Sequence, residues 1–239
     1  MSQQPSDGRE SERPSSAAEI FGAALGGAAR KAGLDPNDAR STPHVVWHAM
    51  GGWRGVVESV LPSLAFLLVY TVSTNLPLAL GISVGTAVLF TIARFAQRQP
   101  PSAALGGLVA VAAAAALALF TGRAQDNFVP GLIINGLYAS GLLISALVGW
   151  AIIGVAVGFL MGEGTAWRTD RRKRRVFFWL TIAWAGLFAA RLAVQLPLYL
   201  AGNVAALGTL KLVMGLPLFA PLVALTWLTV RALYRSTPE

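Results

Sequence analysis

The chain has 239 residues with 19 Lys and Arg against 11 Asp and Glu, a formal charge of +8, 55% hydrophobic residues, 13% charged residues and no cysteine. The missing cysteines exclude disulfides, thiolate chemistry and Cys-ligated metals, and the apolar surplus excludes a soluble monomer. In a soluble protein the basic balance would point to nucleic acid; here the basic residues cluster beside long apolar stretches, so they carry topology and no nucleic-acid partner is expected.

The first segment, residues 1–42, opens with SQQPSDGRESERPSS, too polar to bury a core. It reads as a cytoplasmic tail, disordered to about Ser16 and weakly helical from Ala17 to Lys31. No basic stretch precedes an early apolar run, so no cleaved signal peptide is expected. Residues 43–54 read as an interfacial segment anchored by Trp47 and Trp53. Within it, His44 and His48 stand one helical turn apart in HVVWH. No Glu occupies the position that a zinc protease motif requires, and Glu58 lies about three turns away as a third ligand, so no metal is expected.

Residues 55–235 form the membrane domain. A bilayer core of about 30 Å takes about 20 apolar residues as a helix, and six stretches qualify: Gly55–Thr74, Pro77–Ala96, Ser102–Thr121, Pro130–Leu160, Val176–Leu200 and Ala206–Val230. The expected class is therefore all-α, a polytopic protein of six transmembrane helices. The fourth stretch is too long for one straight span and too short for two, so it must tilt, kink or protrude; Gly136, Gly141, Gly149 and Gly154 offer places to bend. Basic residues fall on alternate connections: the tail, then Arg94 and Arg98, then Arg168 and Arg171 to Arg175, then Arg231 and Arg235, with Arg123 alone on the other side. Cytoplasmic loops gather Lys and Arg, which places both termini inside. Trp167 reads as an interfacial anchor before the fifth span. Pro62, Pro197, Pro217 and Pro221 fall inside spans, where neighbouring helices must satisfy the carbonyls they free.

Three features stand out within this frame. Gly154, Gly158 and Gly162 recur every four residues in GVAVGFLMG, which opens one helix face to close approach; the plain reading is packing within the monomer and the sharper one homodimerisation. Gly81 and Gly85 form a weaker pair of the same kind. The run from Arg168 to Arg175, with Arg171, Arg172, Lys173, Arg174 and Arg175 at its centre, reads as a stop-transfer anchor that can also contact anionic lipid. Third, Arg191 and Lys211 are charges inside spans, on the external half, each costing about 2.5 kcal/mol or more at a helix centre. Gln195 shares a face with Arg191, and Asp126, Asn135, Tyr138 and Asn203 are candidate neighbours. Two converging cations suit a phosphate or carboxylate, such as a lipid head group; the plain alternative is snorkelling and helix bridging. No Walker loop, dinucleotide fingerprint, nucleophile elbow or metal box appears, so neither an enzyme nor a cofactor is expected.

The stretches LPSLAFLLVYTVS, TAVLFTIARFAQRQ, FTGRAQDNFVPGLIINGLYASGLLIS and LTIAWAGLFAARLAVQLPLY together resemble uncharacterised integral membrane proteins of actinobacteria and, more remotely, the intracellular septation protein A family, also called YciB. The resemblance runs from about Val57 to Tyr234, and its least generic elements are Leu61-Pro62, Arg94, Asp126-Asn127-Phe128, Ala183-Trp184, and Asn203 with Lys211. It implies a non-enzymatic protein of the bacterial plasma membrane that serves envelope upkeep and septation, with lipids, a second copy or envelope and division membrane proteins as partners. ARFA at Ala93–Ala96 and ARLA at Ala190–Ala193 echo one another between halves. A repeat of three spans would be inverted in the membrane, a transporter-like plan, so a small-solute or anion transporter or channel is the alternative.

Overall fold

The computed structural model describes residues 52–97 and 102–234. The tail, most of the interfacial segment with Trp47, and the His44–His48 pair lie outside the described residues. Within them every regular element is helical: α1 (Gly52–Ser73), α2 (Leu76–Ala96), α3 (Ser102–Thr121), a 3₁₀ turn (Ala124–Phe128), α4 (Val129–Leu147), α5 (Ile152–Leu160), a second 3₁₀ turn (Ala166–Arg168), α6 (Arg171–Leu200), α7 (Val204–Val213) and α8 (Leu216–Tyr234). Five stretches are long and apolar enough to cross a membrane: Gly55–Ser73, Leu76–Ala96, Ala124–Leu147, Arg171–Leu200 and Val204–Tyr234; Leu105–Thr121 is apolar but shorter. These helices make the chain a multi-pass membrane protein.

Local chemistry sets the turns. Thr74 takes φ 51°, and Asn75 then caps α2, its Oδ1 accepting from the Leu78 N–H at 3.0 Å. Pro77 follows in the first turn, where a missing N–H costs nothing. Asp170 caps α6, its Oδ1 accepting from the N–H groups of Arg172 (2.7 Å) and Lys173 (3.3 Å). The basic run is thus the first turn of α6 rather than a loop before a helix starting at Val176. Five cations at a helix N-terminus oppose the macrodipole, and the Asp170 carboxylate offsets part of that cost.

The fourth expected span is two helices. Of the four glycines named as places to bend only Gly149 breaks it, with φ 79°, and the Ser145 hydroxyl oxygen accepts from the Ile152 N–H at 3.4 Å across the break. The sixth is also two helices, parted at Met214–Gly215. Pro217 therefore stands in the first turn of α8, which tolerates it, and does not kink a span. Pro62, Pro197 and Pro221 do lie inside helices. The carbonyl of Pro62 accepts from the buried Ser83 hydroxyl at 2.8 Å, joining α1 to α2.

Helices α1, α2 and α3 pack in sequence; α4 runs along α6, α5 covers the first turns of α6, and α7 touches both α1 and α6. One core cluster joins Phe66, Ala79, Leu80, Ala118, Phe128, Val204 and Leu207, and so gathers the end of α1, the start of α2, the end of α3 and the start of α7. At the opposite end Arg94 of α2 pairs with Glu58 of α1 (2.6 Å). There too Lys173 of α6 pairs with Glu163 (2.6 Å), which accepts from the Tyr234 hydroxyl of α8 (2.9 Å). Arg94, the Arg171–Arg175 run and Arg231 therefore share one end of the bundle, and Arg123 lies at the other.

Candidate functional site

A cavity of about 400 Å³ lies between α4, α6, α7 and α8. Helix α6 supplies Phe188, Arg191 and Gln195, which the helical repeat puts on one face. Helix α4 supplies Gly131, Ile134, Asn135 and Tyr138 by the same spacing. Lys211 comes from the last turn of α7, Phe219 from the first turns of α8, and Phe128 closes the end nearest the 3₁₀ turn. At about 1.5 Å per residue, Arg191 lies about 13 Å from the Leu200 end of α6 and Lys211 about 10 Å from the Val204 end of α7, so the cations sit at similar depth.

Aromatic rings shape the floor. Phe188 has Tyr138 on one side (centroids 5.0 Å) and Phe219 on the other (5.7 Å), and Trp184 meets Phe219 at 5.4 Å. Over these rings sit the charges: the Arg191 guanidinium is 5.6 Å from the Phe219 centroid and the Lys211 ammonium 5.2 Å from that of Phe128. A ring face offsets little of a cation's desolvation, about 1–2 kcal/mol. Among the described residues no carboxylate lines the cavity. Asp126, two residues before Phe128, is buried and engaged elsewhere, accepting from the Tyr199 hydroxyl at 2.8 Å with Arg123 at 3.9 Å.

The polar groups are also under-bonded. Gln195 is only 4% exposed, and its Nε2, like the buried Nε of Arg191, has no hydrogen-bond partner among the described residues. Each such donor costs about 1–3 kcal/mol left unpaired. The α7–α8 break sets the negative end of α7, whose last turn holds Lys211, beside the positive end of α8, so the two helix ends largely offset one another there. Two cations and an amide donor around an apolar floor complement an oxyanion; nothing in the set is a nucleophile poised beside a base.

Arg191, Gln195 and Lys211 thus line one cavity, together with the expected neighbours Asn135 and Tyr138. Asp126 and Asn203 do not: Asn203 caps α7, its Oδ1 accepting from the Ala206 N–H at 3.0 Å. The aromatic lining of Phe128, Phe188 and Phe219 escaped the sequence reading. Phe188 stands three residues before Arg191 and carried a signal; Phe219 does not, because it depends on the break in the sixth span.

The remaining candidates sort differently. A β-carbon on Gly154 would lie 3.0 Å from both the Trp167 ring and the Phe177 Cβ, and one on Gly158 would collide with the Gly164 carbonyl and lie 2.6 Å from Trp167. These two glycines seat the Trp167 indole, which is 1% exposed and edge-on to Phe177 at 5.5 Å. Trp167 is thus a core residue and not the interfacial anchor its position suggested. Gly162 follows the end of α5 at φ 77° and meets nothing within 4 Å, so it serves the turn and not the helix face. Among the described residues nothing lies within 4 Å of a β-carbon at Gly81 or Gly85. Arg171, Arg172, Arg174 and Arg175 are exposed, whereas Lys173 turns inward to Glu163 and lies 4.2 Å from the Tyr234 ring. Among the described residues no group of His, Asp or Glu could hold a metal.

No curated protein and no solved structure matches the chain, so the resemblance to septation protein A and an actinobacterial source rest on the quoted residues alone. The profile of a family described as "Protein of unknown function (DUF3159)" matches residues 50–237, a span that takes in every helix above. The chain belongs to the DUF3159 family.

Proposed function

We propose that this protein is a non-enzymatic protein of the bacterial plasma membrane, with six spans and both termini in the cytoplasm, that supports the cell envelope through helix and lipid contacts. Its working element is the cleft at Arg191 and Lys211, which holds an anionic ligand bearing a phosphate or carboxylate. The observation that carries this reading is a pair of cations facing one cavity with no carboxylate in its lining among the described residues. Such a pair repels itself and pays desolvation twice, so an anion between them relieves both penalties. The gathering of Arg94, Arg171–Arg175 and Arg231 at one end supports the orientation, and the length of α3, 20 residues, supports counting it as a span.

Thermal unfolding of the detergent-solubilised protein tests the anion site. Two phosphate-bearing probes are used at constant ionic strength, inorganic phosphate and a short-chain phosphatidylglycerol; at least one should raise the unfolding temperature of the wild type, and neither should raise that of Arg191→Leu/Lys211→Leu. No shift with either probe in the wild type would count against the reading.

Transport is the second reading, and the α7–α8 break beside the cations favours it, because discontinuous helices frame the sites of many transporters. The other break, at Gly149, falls in the same half of the chain, while α1 to α3 are unbroken; an inverted repeat would put breaks in corresponding spans. Protein-dependent anion flux into liposomes, abolished by Arg191→Ala, would replace the scaffold reading with transport.

A further inference from the structure

The cleft is walled towards both ends of the bundle and open at its side. Towards the 3₁₀ turn it meets Phe128 and Asp126, both buried, with Phe128 edge-on to Phe66 at 5.9 Å. Asp126 is paired there with the exposed Arg123, so what closes this end to an anion from water is the packing around Phe128 and not charge. Towards the basic end the path is filled by the packed rings of Trp184, Phe188 and Phe219. The lining residues on α4 face outward instead: Ile134 is 46% and Tyr138 55% exposed. At about 1.5 Å per residue they lie about 7 and 13 Å into α4, at the depth of acyl chains.

We infer that the ligand is a membrane lipid whose phosphate enters sideways between α4 and the α7–α8 break, to sit against Arg191, Lys211 and Gln195 while its acyl chains stay outside against Ile134 and Tyr138. This rests on the anion-site reading above. The volume, about 400 Å³, lies at the small end of the range for ligand sites and suits a head group without its chains. Lateral entry also accounts for placing the cations so deep. A soluble anion would be met more cheaply at the aqueous end, whereas a lipid phosphate drawn below the surface needs charge and hydrogen-bond donors to replace its water.

The test is native mass spectrometry of the full-length protein with two probes, long-chain phosphatidylglycerol and soluble glycerol 3-phosphate. Ile134→Trp and the gentler Ile134→Phe narrow the side opening. Leu137→Trp is the control, on the same helix and 65% exposed but outside the lining. Retention of phosphatidylglycerol should fall about tenfold or more in Arg191→Leu/Lys211→Leu, about 1.4 kcal/mol or more. It should fall severalfold in the Ile134 variants and stay unchanged in Leu137→Trp, with glycerol 3-phosphate binding far more weakly throughout. Equal binding of glycerol 3-phosphate, insensitive to Ile134, would overturn lateral lipid entry and leave the anion site standing. If neither probe's binding depends on Arg191 and Lys211, the anion site itself falls.

Discussion

Gly158, Gly208 and Gly81 all lie on helices, yet replacing each by alanine should give three different results. At Gly158 the new methyl group would meet the Gly164 backbone carbonyl and the buried Trp167 ring, neither of which can yield. The expected cost is about 3 kcal/mol, the upper part of the usual range for overpacking. At Gly208 it would meet the tip of Leu67 at 2.6 Å, a flexible side chain that can turn away, so about 1 kcal/mol is expected. At Gly81 nothing lies within 4 Å, and the gain in helix propensity, up to about 1 kcal/mol, should leave stability equal or higher. Unfolding in detergent ranks the three; a Gly158→Ala protein as stable as the wild type would contradict the seating of Trp167. The four-residue glycine spacing was legible in the sequence, but its partner was not. Trp167 lies in the following loop, and only the turn through Gly162 and Gly164 folds the indole back onto α5.

Between elements, two devices hold helix pairs together. The Glu58–Arg94 pair, 2.6 Å long with Glu58 9% and Arg94 22% exposed, ties α1 to α2 in a low-dielectric setting. Glu58→Ala strands Arg94 and should cost about 2 kcal/mol; Glu58→Ala/Arg94→Ala should cost less than the two single changes summed. Additivity in that double-mutant cycle would mean that the pair does not couple the helices. The helix breaks are the second device. Gly149 at φ 79° occupies a conformation that costs another residue about 1–2 kcal/mol, so Gly149→Ala should lower stability while Gly141→Ala, with nothing within 4 Å, should not. Excess length in the fourth span called for a tilt, a kink or a protrusion from sequence alone, and the structure shows a break. Which of four glycines would supply it depends on how α5 seats against α6, and no local signal carries that. In the sixth span the signal was present, since Pro217 two residues after Gly215 suits the first turn of a new helix.

For the molecule as a whole, apolar length and basic asymmetry made the all-helical membrane class legible, because both follow from the solvent the chain must satisfy. Orientation can be tested directly, since the native chain has no cysteine. Ser73→Cys and Thr169→Cys, both exposed and at opposite ends of the bundle, should label from outside and from inside the cell respectively. Reaction of Thr169→Cys with an impermeant thiol reagent in intact cells would overturn the proposed topology. The grouping of Arg191, Gln195 and Lys211 was readable because charges inside spans are costly and must converge on something. The shape of what they converge on was not, because it depends on the α7–α8 break and on three phenylalanines far apart in sequence.

The central claim is that this pair of cations exists to hold an anion and not to bridge helices. It is tested most directly by the phosphate-bearing lipid retained on the purified protein in native mass spectra of Arg191→Leu, Lys211→Leu and the double variant, each first shown to be folded. The account expects each single change to lower retention and the double change to lower it further. Undiminished lipid retention by a folded double variant would contradict it and make Arg191 and Lys211 structural cations.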